Sequence, residues 1–372
     1  MKKNSFFTLA LFTALIILSA AMLAGCVSTE TVGEKSITPP PAPETPAEEE
    51  SAPSVPMVNY EGDLINIFFH PLVNRPEIAF TGSQKAGFLN WFVTVDEFKK
   101  VLTELYTGGY VLIDINEVYD VSYVGGVKKV TGKRLLVPEG KKPMVLSIDD
   151  LSYHKYMRDN GIVHKLVIDG NGKIAAWTDN ENGGELSYDE DIVTILEDFI
   201  EEHPDFSLQG AKGIIALTGY EGVLGYQTQY RSAPGLSNEV EGAAAVVNKL
   251  KERGWRFASH SYTHWNLRQR SMEHFMRCTN YWDKEVRPIV GDTDLFIYPF
   301  GAGLESQEEK HRVLRDRNFN LFFGVGSGIG YRERGDYIYF SRKNIDGVYF
   351  RTFRNRRDAL FNVENVIDNR YR

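Results

Sequence analysis

Cysteine is nearly absent from this chain: 372 residues hold two, Cys26 and Cys278, with no CxxC pair. That excludes a disulfide-stapled scaffold and a cysteine-built zinc or redox site. Positive charge is also in short supply, since 42 Lys and Arg stand against 50 Asp and Glu and leave a formal net charge of -8. No cationic surface is available to neutralise a run of phosphates, so nucleic-acid binding is not expected. No internal repeat is visible, which removes solenoid and propeller arrays. What remains, 42% hydrophobic and 25% charged residues, is ordinary globular composition with room for one large domain or two modest ones.

The amino terminus departs from that average. Lys2 and Lys3 precede an apolar and small-residue stretch over residues 6–23, which ends in Leu23-Ala24-Gly25-Cys26. This is the order of a secretory signal, although about 18 apolar residues are also long enough to span a bilayer. The Leu-Ala-Gly-Cys end resembles the bacterial lipobox, which implies cleavage before Cys26 and a lipid on its thiol. Residues 1–25 are therefore expected to be signal and residues 26–60 a tether. The tether holds Pro39, Pro40, Pro41, Pro43, Pro46, Pro53 and Pro56 among Glu44, Glu48, Glu49 and Glu50, with too few apolar groups to offset chain ordering. The expected location is extracytoplasmic, lipid-anchored to the bacterial cell membrane. Cys278, then without a partner thiol, reads as a small buried apolar residue.

Residues 61–372 alternate short apolar runs with amphipathic segments, the pattern of parallel strands joined by helices. Strands are predicted at 64–69, 110–113, 144–148, 213–217, 256–259, 295–298 and 321–325, several of them continuous apolar runs, as strands buried on both faces should be. Helices are predicted over 94–107, opened by a capping box from Thr94 to Glu97, and over 191–202, 240–250, 272–286 and 307–317. Gly254 stops the third of these. Such an alternation suits a (β/α) barrel or an open doubly wound sheet. His70, Asp149, Asp150 and His260 each directly follow a predicted strand, where barrels carry their reactive groups, and this favours the barrel. Residues 152–188 are polar and turn-rich, and Asp169-Gly170-Asn171-Gly172 between two apolar runs predicts an inserted β-hairpin.

The run Met144-Val145-Leu146-Ser147-Ile148-Asp149-Asp150 is an apolar strand that ends in adjacent carboxylates. Burial penalises such groups unless a cation or hydrogen bonds compensate, and alone the pair is equally at home capping a turn. Its partner is His260-Ser261-Tyr262-Thr263-His264, after the strand at 256–259. In a helical turn, imidazoles four positions apart share a face. Two histidines and one carboxylate then make a three-ligand site with open positions, the arrangement of catalytic rather than structural zinc.

These residues resemble the motifs of the polysaccharide deacetylases with a NodB-homology domain, carbohydrate esterase family 4. Ser147-Ile148-Asp149-Asp150 is similar to the family's T-F-D-D, His260-Ser261-Tyr262-Thr263-His264 matches its H-S/T-x-x-H, and Tyr298-Pro299-Phe300-Gly301 is similar to the end of its R-x-P-Y-G. The resemblance runs in order from His70 to Asp346. It implies an α/β fold, a distorted (β/α)7-type barrel, here with a β-hairpin insertion after the Asp-Asp strand. Carried over residue by residue, it implies Asp149 as general base and Asp150, His260 and His264 as ligands of a divalent metal, zinc by preference. It also implies the backbone N–H of Phe300 as oxyanion donor. The implied activity is hydrolysis of N- or O-linked acetyl groups on a cell-envelope or extracellular polysaccharide. The alternative is a noncatalytic carbohydrate-binding or assembly lipoprotein that retains a degenerate site.

Two departures from the family pattern stand out. Ile297 occupies the place of the third-motif arginine, and Arg342 is the candidate to orient Asp149 in its stead. The late Leu-x-His motif that supplies the general acid is not evident, because the last histidine, His311, is expected on the surface of a helix. His70 and His154 remain within reach, and His70 is the candidate catalytic group. Tyr262 and Trp265 are the candidates to stack on sugar rings. A glycosidase needs carboxylates facing each other across the bond, which the sequence neighbours Asp149 and Asp150 do not provide. A non-haem iron oxygenase has no use for the flanking aspartate.

Overall fold

The computed structural model describes residues 55–229 and 235–372. The expected signal, Cys26 and the tether as far as residue 54 lie outside the described residues. Met57–Asn59, inside the stretch expected to be tether, forms a strand paired antiparallel with Leu136–Pro138.

Seven parallel strands close into a ring: β1 (Ile65–Phe69), β2 (Lys142–Asp149), β3 (Ile214–Leu217), β4 (Arg256–Ser259), β5 (Leu295–Ile297), β6 (Leu321–Val325) and β7 (Ile338–Asn344). Each pairs with the next, and β7 pairs with β1. The expected barrel is present, but its membership differs from the prediction. Tyr110–Leu112 stands outside the ring, paired with the amino-terminal half of β2 from Lys142 to Met144, while β3 takes over the carboxyl half from Ser147 to Asp149. One long strand shared between two neighbours on the same edge is the distortion. The ring is completed instead by β7, whose Ile-Tyr-Phe-Ser-Arg-Lys-Asn sequence carries two cations and escapes a search for apolar runs.

Side-chain alternation sorts the interior of the ring from its helix-facing side. Val145, Ala216, Ala258, Ile297, Phe323 and Phe340 belong to an inner cluster, in which the rings of Phe323 and Phe340 stack with centroids 4.7 Å apart. Leu146, Ile148, Ile215, Leu217, Phe257 and Phe322 join the larger outer cluster under the helices. The main helices are α1 (Val95–Thr107), α2 (Ile192–Glu202), α3 (Leu236–Glu252), α4 (Met272–Glu285), α5 (Glu308–Arg315) and α6 (Gly347–Phe353). The predicted capping box opens α1, with the Thr94 hydroxyl accepting from Glu97 N–H at 3.2 Å and the Glu97 carboxylate from Thr94 N–H at 2.9 Å. Continued toward the carboxyl ends of the strands, the inward phase is taken by Ser147 and Asp149 on β2 and by Arg342 on β7. The register that packs the core thus aims these polar groups at one another.

The amino-terminal end of the ring is plugged by Ile115, Val118 and Val130. Val130 belongs to a hairpin absent from the predicted strands, Tyr119–Val124 paired with Val127–Gly132. Its two-residue loop, Gly125 and Gly126, has φ of +59° and +81°, the turn whose twist matches its strands. The predicted hairpin is also present. Lys165–Ile168 pairs with Ile174–Thr178 across a turn in which Asp169 Oδ1 accepts from the N–H groups of Asn171 and Lys173, both at 2.8 Å. A third strand, Glu185–Ser187, extends it.

Phe323 fills the centre of the inner cluster. Phe323→Ala is expected to lower the unfolding free energy by about 3–5 kcal/mol, measured by denaturant titration.

Candidate active site

β2 delivers both carboxylates. Asp149 keeps the inward phase of the strand, and Asp150, which alternation would turn outward, has φ of +61° and leaves that alternation. Aspartate tolerates the left-handed region better than most residues.

Arg342 grips Asp149 with both terminal nitrogens, Nη1 donating to Oδ1 at 2.7 Å and Nη2 to Oδ2 at 2.9 Å. Nη1 also donates to Ser147 Oγ at 2.9 Å, and that hydroxyl donates to the Ile67 carbonyl at 3.3 Å. The guanidinium lies over the Phe68 ring, 4.1 Å from its centroid. Fork-to-carboxylate geometry of this kind is specific to arginine. Burial pushes the Asp149 carboxyl up, but Arg342, followed by His260 and His70, outweighs it and holds the group below the usual carboxylate range.

Beside this pair lies a set of metal-type donors. His260 is buried and donates from Nδ1 to the Ile297 carbonyl at 2.9 Å, which leaves the Nε2 lone pair free. Nε2 is 3.9 Å from Asp149 Oδ2 and 4.0 Å from Asp150 Oδ1. Burial pushes the ring down to about 4, so it is neutral at pH 7. His264 Nε2 is 3.4 Å from Asp150 Oδ2. Donor atoms of Asp150, His260 and His264 all lie within 4.8 Å of one another. Burial raises the Asp150 carboxyl, and His264 and His260 more than reverse it, holding the group well below its ordinary range. Its Oδ1 is buried with no hydrogen-bond partner among the described residues. An orphaned carboxylate oxygen facing a neutral imidazole with a free lone pair is a donor set that a divalent cation completes. The residues fit a metal.

A helical turn was expected to bring the two histidines together, but residues 260–264 form a bent loop, left-handed at Ser261 (φ +57°) and His264 (φ +51°). Such residues cost of order 1–3 kcal/mol each and persist only where their surroundings hold them. Tyr262, between the ligands, is held on every side. Its N–H donates to Cys278 Sγ at 3.2 Å, its carbonyl accepts from Gly219 and Tyr220 N–H at 3.0 and 3.1 Å, and its hydroxyl bonds Glu285. Thr263 Oγ1 meets the same sulfur at 3.3 Å. Gly219 is required by this approach, since a Cβ there would come within 2.5 Å of the Tyr262 ring. Cys278 is buried as expected. Tyr262 is a peg for the ligand loop rather than a sugar contact. Trp265 also lies off the groove, its ring covered by the Arg270 guanidinium at 4.6 Å.

The site opens into a groove of about 650 Å³, lined by Asp149, Asp150, His260 and His264 with His70, Trp91, Tyr156, Phe300, Tyr349 and Phe353 among others. Phe300 is left-handed (φ +58°) in the turn Pro299–Gly301, its side chain 67% exposed and its ring 4.8 Å from that of His264. His70 lines the groove with a buried Nδ1 that has no partner among the described residues. His154 does not line it, being buried with Nε2 2.9 Å from Thr218 Oγ1. His311, expected at the surface, is fully buried under α5 between Phe322 and Tyr337, each ring 4.4 Å away, because it falls on the apolar face of that helix. The walls Trp91, Tyr156, Tyr349 and Phe353 escaped sequence reasoning. The one signal available was that Trp91 and Tyr156 lie in segments following strand ends.

No family model matches the chain, and no curated protein matches it. In structure the chain resembles deacetylases. It is similar to the Streptococcus pyogenes deacetylase PplD, solved in complex with acetate, at 14% identity over 78% of this chain and 94% of that one, with a TM-score of 0.43. It is also similar to BC0361, a polysaccharide deacetylase from Bacillus cereus, at 11% identity over 82% and 67% with a TM-score of 0.43. IcaB from Ammonifex degensii follows at 13% identity over 76% and 92%, with a TM-score of 0.41.

Arg342→Met leaves a buried carboxylate without its partner and is expected to cost about 3–5 kcal/mol in denaturant unfolding, most of which Arg342→Met combined with Asp149→Asn should recover. Cys278→Ala is expected to weaken zinc binding about tenfold in chelator competition, with Cys278→Ser retaining most of the affinity.

Proposed function

We propose that this chain is a metal-dependent hydrolase that removes N- or O-linked acetyl groups from a cell-envelope or extracellular polysaccharide, working outside the cytoplasm from a lipid anchor on Cys26. The observation that carries the reading is the meeting, at one barrel mouth, of an arginine-clamped carboxylate and an Asp-His-His donor set that opens into a groove.

A divalent ion, zinc by preference, held by Asp150, His260 and His264 would polarise the acetyl carbonyl and acidify a bound water. Asp149 takes the proton of the attacking water, since each of its oxygens keeps a lone pair beyond the bond to Arg342. Arg342 keeps that carboxylate ionised and fixes its direction. We assign the Phe300 N–H as donor to the developing oxyanion. His70, at the end of β1, is assigned to protonate the leaving amine or alcohol. It lines the groove, as does Asp346, which caps α6. His154 is sealed against Thr218 and His311 is buried elsewhere, so neither competes for the role. The half-exposed Trp91 and the Phe300 ring offer apolar faces to sugar rings.

Acetate release from acetylated chito-oligosaccharides and acetylated xylan by the zinc-loaded protein tests this reading. Asp149→Asn is expected to abolish measurable release, and His70→Ala to lower kcat by about 10²–10⁴. Zinc bound by the triad with no turnover on either substrate would favour the noncatalytic carbohydrate-binding alternative. One zinc per chain surviving His264→Ala would show the ligand assignment to be wrong.

A further inference from the structure

The end of the barrel opposite the groove carries exposed apolar side chains that the chemistry above does not use. The hairpin Tyr119–Val124 with Val127–Gly132 is held at its base. Val130 is part of the barrel plug, its N–H donates to the Gly335 carbonyl at 2.8 Å, and Lys128 Nζ donates to Asn320 Oδ1 at 3.0 Å. Asn320 and Gly335 lie just before β6 and β7, which places the hairpin at the amino-terminal ends of the strands. Its tip is Tyr123-Val124-Gly125-Gly126-Val127, with Tyr123 69%, Val124 58% and Val127 64% exposed. A lone two-stranded ribbon is marginal in water, and large apolar groups gathered at its tip point to a partner.

Two further observations say which partner. In a chain of net charge -8, residues 119–134 hold four cations and one anion. That anion, Asp120, is already ion-paired to Lys133 at 3.4 Å. Lys128, Lys129 and Arg134 have no ion-pair partner among the described residues, with Lys129 exposed two residues from the apolar tip and Arg134 exposed at the hairpin base, where Glu333 accepts from the Gly132 N–H at 2.8 Å. Shortly after this segment, Leu136–Pro138 pairs with Met57–Asn59, where Met57 and Leu136 are also exposed. The tether therefore joins the folded unit at this same end, with Cys26 31 residues before Met57.

We propose that the hairpin tip is a membrane-docking wedge. Tyr123, Val124 and Val127 enter the interfacial layer of an anionic phospholipid bilayer, while the exposed Lys129 and, at the hairpin base, Arg134 meet the headgroup charge. The proposal rests on Cys26 being the lipid anchor. The anchor keeps the domain concentrated near the bilayer, and the wedge sets its orientation. The amino-terminal end of the barrel faces the membrane, and the groove faces outward to the surrounding polysaccharide.

The test uses residues 54–372, a compact unit holding the whole described core, in sedimentation with vesicles of pure phosphatidylglycerol or pure phosphatidylcholine. Binding to phosphatidylglycerol that weakens with salt is expected, with far less on phosphatidylcholine. Val124→Asp combined with Val127→Asp should lower the partition coefficient at least about tenfold, and Lys129→Ala about fivefold, with the unfolding midpoint unchanged. No sedimentation with phosphatidylglycerol, or equal sedimentation of the parent and the double variant, overturns the proposal. A dimer that the double variant loses assigns the tip to self-association and overturns it too. Absence of lipid on Cys26 in the full chain would remove the tether and leave the vesicle result standing, so the two failures are distinguishable.

Discussion

The fork of hydrogen bonds from Arg342 to Asp149 is the constraint on which the rest of the site depends. A carboxylate only 3% exposed cannot keep its charge by hydration, and without that charge there is no base. The bond spans three staves of the ring, from β7 across β1 to β2, so it also depends on a register in which Asn344 stands beside Phe68 and Phe68 beside Ser147. The charges sum in a useful way. Arg342 cancels Asp149, which leaves Asp150 as the uncompensated carboxylate of the donor set, so a doubly charged ion held there would leave that set net positive, the sign an oxyanion needs.

A second theme is backbone that departs from its regular period at the strand ends. Nine non-glycine residues are left-handed among those described, and Asp150, Ser261, His264 and Phe300 are four of them. A regular strand continued through these positions would send Asp150 to the outer face and spread the two histidines. The molecule reaches convergence by bending, and Cys278, Glu285 and the 219–220 turn hold the bend.

The legible parts of this sequence were those where physics leaves one choice. Strands buried on both faces must be apolar throughout, so six of the seven staves could be read directly, and the capping box of α1 announced itself at Thr94 and Glu97. The stave at Ile338–Asn344 was hidden because its carboxyl half bears the functional arginine, and function there overrides pattern. The ligand residues were legible as a motif, but the helical turn assumed for them was not what forms. Tyr262 and Trp265 were misread for a related reason: being next to a ligand in sequence says little about facing the same space, and a left-handed residue between them turns the tyrosine into the protein. The groove walls at Trp91, Tyr349 and Phe353 sit on two short helices, Lys85–Trp91 and α6, each too brief for a helical period to be read from the sequence.

Cys278 has a consequence beyond holding the ligand loop. Among the described residues it is the single thiol, and its sulfur is closed off by the very loop it supports. An alkylating reagent can reach it only in the fraction of time that the loop lifts away, so its modification rate counts those openings directly. The protein carries its own clock for the loosening of its Asp-His-His donor set.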